Sequence, residues 1–166
     1  PQQVEFWIAL AALAERQGQP RRALSLLNEA VRQLGDRPEL RLAQARYWLK
    51  RGGKEAGPAL TRLETGLDSF PEAARHPLLR GLAEAHARTG NAKKAAQLWA
   101  RLAAELPLDL GIKLTLFDLA LQTGDEAGVQ RALTDMETIE GANGALVRCA
   151  RATLLIEQGR KGDKQA

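Results

Sequence analysis

Few side chains in this chain could carry out a reaction. There are two histidines, His76 and His86, and one cysteine, Cys149. A metal site needs several His, Cys, Asp or Glu ligands at set spacing, and none surrounds either histidine. A thiol nucleophile needs a base and a lowered pKa. Cys149 has no histidine near it in sequence, so it is expected as a buried or half-buried small residue. His76 precedes Pro77 and is expected in a loop, while His86 falls at a helix-packing position with its ring satisfied by a hydrogen bond. Gly52-Gly53-Lys54 invites a phosphate reading. A P-loop, however, needs G-x-x-x-x-G-K-[ST] after a buried strand, and neither is present. No catalytic, metal or cofactor residue is expected.

The elements around these residues are helices. Hydrophobic residues make up 45% of 166 and aromatics 4%, so the core must be built from Leu and Ala, the best helix formers. Val and Ile are scarce, which argues against long strands. Glycines punctuate the chain at Gly18, Gly52, Gly90, Gly124 and Gly159, with gaps of 34, 38, 34 and 35 residues. An apolar segment of helical period precedes each one, and another follows the first four. A fixed period in the thirties with two helices per unit marks a helical repeat array.

In the first unit Trp7, Leu10, Ala11 and Ala14 share a helix face. Gly18 ends that helix, and Pro20 fits the first turn of the next, which turns Ala23, Leu27, Ala30 and Leu34 inward. The third unit repeats this with Leu79, Leu82, Ala83 and His86, a Gly90-Asn91 turn, then Ala95, Trp99 and Leu102. The fourth has Leu116, Phe117 and Ala120, Gly124-Asp125, then Val129, Leu133 and Met136. The second is irregular. Its turn, Gly52 to Pro58, is long, and its second helix carries Ala59, Leu63, Gly66 and Leu67 before stopping at Phe70-Pro71. A long loop from Pro71 to Pro77, opening with a short extra turn, follows. The last helix is expected over 145–158 with Leu146, Ala150 and Leu154 inward, then a turn at Gly159 and the start of another helix at Lys164. The expected organisation is one domain over 1–166, with repeats at 4–37, 38–71, 76–108, 109–142 and a truncated 143–166. It reads as a piece of a longer protein.

The pattern W-x2-L-small-x2-small…G…A-x3-large…small…P resembles the tetratricopeptide repeat family. Trp7, Leu10, Ala11, Ala14, Gly18, Ala23, Leu27 and Ala30 carry it in unit one; Leu79, Leu82, Ala83, Gly90, Ala95, Trp99 and Pro107 carry it in unit three. Leu42-x2-Ala45, Ala59-x3-Leu63, Leu116, Ala120, Gly124 and Val129-x3-Leu133 match more loosely. The resemblance implies an all-α, right-handed superhelical solenoid of antiparallel helix pairs, about four and a half repeats long. It implies a concave groove, lined by the first helix of each pair, that binds a peptide or another protein. The residues carried onto that groove are Tyr47, Lys50, Arg51, Arg80, Glu84, Arg88 and Asp118, with Tyr47 as an exposed anchor and Trp48 in the core. Trp7 and Trp99 are assigned to packing between helices. The family's clamp for acidic chaperone tails is not expected, because Ile8, Ala12 and Gln44 stand at its positions.

The formal charge is +4 and the isoelectric point about 9.6. Acidic and basic residues interleave, as in Glu15-Arg16 and Glu84 with Arg88, which marks solvated helix faces rather than a nucleic-acid stripe. The Arg/Lys excess along the expected groove suits an acidic or carboxylate-bearing ligand. No stretch reaches the roughly 18 apolar residues of a membrane span. The sequence therefore points to a non-catalytic protein-interaction scaffold. The alternative is the recruiting or regulatory arm of a larger enzyme or of a cell-envelope secretion or assembly machine. Nucleic acid is not expected as a partner. Dimerisation through the open C-terminal helix is a further expectation. The Ala, Leu, Arg and Gly bias suggests a bacterial source, and the compartment stays open between cytoplasm and periplasm.

Overall fold

The computed structural model describes residues 3–162. Among them it has nine α-helices and no strand. In order these are α1 (Val4–Arg16), α2 (Pro20–Leu34), α3 (Pro38–Arg51), α4 (Ala56–Leu63), α5 (Glu72–Arg88), α6 (Ala92–Glu105), α7 (Leu110–Thr123), α8 (Glu126–Glu140) and α9 (Ala145–Gly162), with a 3-10 turn at Leu67–Ser69 between α4 and α5. The chain is an all-α helical repeat. It separates into two compact units, the first ending at Ala95 and the second beginning at Ala96.

The helix ends follow local chemistry. Gly18, Gly52, Gly90 and Gly124 all have positive φ, the conformation that closes a helix without a Cβ clash. Pro20 and Pro38 occupy first turns, where a missing N–H costs nothing. Asp109 accepts a hydrogen bond from the Ile112 amide (3.1 Å), and Asp125 from that of Gly128 (2.9 Å). Asn91 accepts more loosely from Lys94, at 3.3 Å. Each satisfies an N–H that the helix leaves unpaired.

In the first unit α1 packs on α2 and α3, and α3 on α4 and α5. One core cluster joins Ala11, Ala14, Ala23, Leu27, Ala43 and Tyr47; a second joins Trp7, Ala30 and Leu40. The alanines let the helices approach closely. In the second unit α7, α8 and α9 pack on one another around Phe117, Val129, Leu133, Met136, Val147 and Ala150. Trp99 is buried as expected.

Several expectations need correction. α3 buries Leu40, Ala43, Ala45 and Tyr47, whereas the spacing predicts Leu42 and Ala45 as its first inward members; Ala45 is buried as predicted and Leu42 is only half-buried. Gly52 follows Tyr47 by five residues, but Gly18 follows Ala14 by four and Gly90 follows His86 by four. Counting back from the glycine thus misplaces Tyr47, which takes the packing position held by Ala14 in α1 and His86 in α5. Leu10 is exposed, not inward. The second helix of the second repeat ends at Leu63, because Gly66 adopts φ +70 and breaks it. The loop expected from Pro71 to Pro77 is mostly helix: Pro71 caps α5, whose second turn contains Pro77. His76 is accordingly helical. Gly159 lies within α9 and has no positive φ, so the turn expected there is absent. The helix expected from Lys164 lies outside the described residues. Cys149 is exposed.

Candidate functional site

The residues expected in one groove fall into three places. Arg80, Glu84 and Arg88 of α5 line a groove of about 360 Å³ with Leu42, Ala45, Arg46 and Leu49 of α3. All of its lining residues come from these two helices. The close approach of α5 to α3 depends on Gly81, where a Cβ would lie 2.5 Å from a terminal methyl of Leu42. Leu42, Ala45, Leu49 and Ala85 make an apolar floor, and three arginines face one glutamate around it. Arg46 and Arg88 form no ion pair with a described residue. Arg46 and Arg88 thus leave positive charge on the rim over an apolar base.

Tyr47, Lys50 and Arg51 turn the other way along α3. With Glu15, Gly18 and Pro20 they line a separate cleft of about 360 Å³. There Lys50 is held 3.1 Å from Glu15, so its charge is already answered within the fold. Tyr47 is only 5% exposed. It packs in the α1–α2–α3 core and meets Trp48 edge-on, with ring centroids 5.2 Å apart at 83°. The two rings therefore exchange their expected roles: Trp48 is the partly exposed one. Asp118 lies on α7 in the second unit, and partial burial pushes its carboxyl above the ordinary 3.8.

Arg46, Leu42 and Leu49 were missed as groove residues. Their spacing along α3 has the helical period of a packing stripe, and one helix face cannot announce whether a neighbour covers it. The second unit has a cavity of about 410 Å³ among α6, α7 and α8, floored by alanines. Its charged rim is internally neutralised, since Lys113 lies 2.7 Å from Asp135 and Arg131 lies 3.7 Å from Asp125. The groove between α3 and α5, by contrast, keeps the charges of Arg46 and Arg88, unpaired among the described residues.

His86 is fully buried, and its Nε2 lies 2.7 Å from a Glu64 oxygen. It occupies the packing position that its place in the helical period predicts.

Paired helices stacked with small residues at their contacts define a helical-repeat protein. The tetratricopeptide repeat model matches residues 4–47, covering α1, α2 and most of α3, and over that segment the chain is similar to a tetratricopeptide repeat. Repeats of this family generally mediate protein–protein interaction and are typically non-catalytic. Neither a curated protein nor a solved structure gave a match.

Proposed function

We propose that the chain is a non-catalytic interaction module and that its first unit holds an acidic, apolar-anchored peptide in the groove between α3 and α5. The observation that carries this reading is the placement of Arg46, Arg80 and Arg88 around the floor of Leu42, Ala45 and Leu49. A peptide carboxylate gains charge-assisted hydrogen bonds from guanidinium forks, and a Leu-sized side chain between the carboxylates would bury apolar surface worth about 25 cal/mol per Å². Tyr47, Lys50, Arg51 and Asp118 have no part in this groove, and the reading assigns them none. The wider reading, that the helix pairs form one continuous domain over 1–166, is part of the same proposal.

The test is fluorescence anisotropy with labelled peptides that alternate Leu with Asp or Glu, beside Lys-containing counterparts. The acidic set should bind, and affinity should fall with added salt. Arg46→Glu/Arg88→Glu should weaken binding at least tenfold, while Lys50→Glu/Arg51→Glu should leave it within twofold. Equal loss in both variants, or equal binding of the basic peptides, would remove the groove from consideration.

A further inference from the structure

One face of α1 is left uncovered by the described residues. Phe6, Leu10 and Leu13 are 54%, 42% and 44% exposed. They stand at i, i+4 and i+7, so they form a single strip along the helix, and together with Ala9 and Arg16 they border one shallow apolar depression. Large apolar side chains exposed as a contiguous strip mark an interaction surface.

The charges beside the strip select the occupant. Glu5 and Arg16 are eleven residues apart, three turns of helix, and so lie on the same flank of α1. Both are exposed, and neither has an ion pair with a described residue. In a two-fold antiparallel helix pair each flank meets its own copy. With the axis beside Leu10, Phe6 of each copy seats against Leu10 and Leu13 of the other. The Glu5 of each copy then comes opposite the Arg16 of the other. One surface supplies both members of every contact, which is what an isologous interface requires.

We infer that this chain self-associates through a two-fold, antiparallel pairing of α1 with α1 of a second copy. The strip on α9, where Leu155 and Ile156 are exposed, makes a poorer candidate. Its neighbours Arg151 and Arg160 are already engaged by Glu137 and Glu157, so no opposite charges are left to fix a register. The 13-residue helix is only about 20 Å long. The pair buries less than the roughly 800 Å² per partner of a standard interface, so the dimer should be weak, with a micromolar dissociation constant. None of Phe6, Leu10 or Leu13 lines the groove between α3 and α5, so peptide binding there and self-association stand or fall separately.

Sedimentation equilibrium of the full chain, in reductant and across micromolar to submillimolar concentration, tests this. Wild type should approach dimer mass at the upper end. Glu5→Arg and Arg16→Glu should each weaken the dimer at least threefold, by setting like charges opposite one another. The combined variant Glu5→Arg/Arg16→Glu should recover wild-type association, because the swap restores both pairs. These residues are exposed, so circular dichroism should show an unchanged fold. In a Cys149→Ser background, Leu10→Cys should oxidise to a covalent dimer and Leu155→Cys should not. A monomer at every concentration overturns the inference. So does a combined variant no better than the single ones, or a cross-link that forms at position 155 instead of 10.

Discussion

The imidazole Nε2 of His86 lies 2.7 Å from one carboxylate oxygen of Glu64, and the other oxygen lies 3.2 Å from the ammonium of Lys94. This carboxylate joins the chain just beyond α4 to α5 and to the first turn of α6. It also answers the ring of a histidine that is fully buried and whose Nδ1 has no partner among the described residues. His86 stands where α3 has Tyr47 and α1 has Ala14, so a polar ring has been admitted at a packing position because a carboxylate reaches it.

Glu64→Ala should therefore destabilise the first unit by about 1–3 kcal/mol, the cost of stranding a buried polar group. His86→Leu removes the group that needs the partner. The double variant Glu64→Ala/His86→Leu should then lose clearly less than the sum of the single losses. Urea unfolding followed by circular dichroism measures this. Additive losses would mean that the contact contributes no coupling.

Arg41 should be irreplaceable by Lys. Its guanidinium pairs with Asp36, donates to the carbonyl oxygens of Leu63 (2.9 Å) and Thr65 (2.6 Å), and lies 4.9 Å from the centre of the Phe70 ring. Leu63 is the last residue of α4 and Thr65 lies in the turn after it, so their carbonyls lack a partner within the helix. An ammonium cannot serve a carboxylate, two carbonyls and a ring face together. Arg41→Lys is expected to lose about 1–3 kcal/mol, with faster amide exchange over 60–66. Retention of wild-type exchange there would show that α4 ends without its help.

The same region shows what the sequence could and could not disclose. Helix positions were legible because glycine ends, aspartate caps and apolar periods are local. The burial of Trp7, Ala23, Leu27, Phe117 and Met136 followed from those periods. The inward place of Tyr47 on α3 was not legible, since one additional residue separates it from Gly52. Pro77 within α5 was not legible either, because a proline in a second turn is tolerated only when packing outweighs its lost hydrogen bond. Leu10 on α1 and Arg46 on α3 were misjudged for one reason: a period identifies a face, and only the tertiary neighbours decide whether that face is covered. The candidate groove was half visible. The helical period puts Arg80, Glu84 and Arg88 on one face of α5, and they line one groove, but nothing in that period names their partners across α3.

Gly81→Ala separates stability from groove shape. Alanine in place of glycine inside a helix ordinarily gains about 1 kcal/mol. Here the new methyl meets a Leu42 methyl at 2.5 Å, and Leu42 is partly exposed, so its flexible end can move aside into the groove. The two effects should nearly cancel in stability, leaving the denaturation midpoint close to wild type. Acidic-peptide affinity should fall severalfold as the floor fills. A large loss of stability would mean that Leu42 is held in place more firmly than its exposure implies.

Asp118 gives a pH-dependent test in the second unit. Partial burial raises its carboxyl pKa above the ordinary 3.8, so the folded state disfavours the ionised form. The sign follows from linkage: the native state holds this proton more tightly than the unfolded chain, and stability is lost as pH rises through the interval between the two values. Asp118→Asn removes the ionisation. The variant should unfold at a slightly higher temperature than wild type at neutral pH. That advantage should shrink as pH falls through the raised value and vanish below 3.8, where both chains carry a neutral side chain. Because the group is still largely solvated, the difference should be small, and paired melts at matched pH are the right comparison. A variant that gains nothing at neutral pH, or gains equally at every pH, would show that desolvation of this carboxylate does not oppose folding.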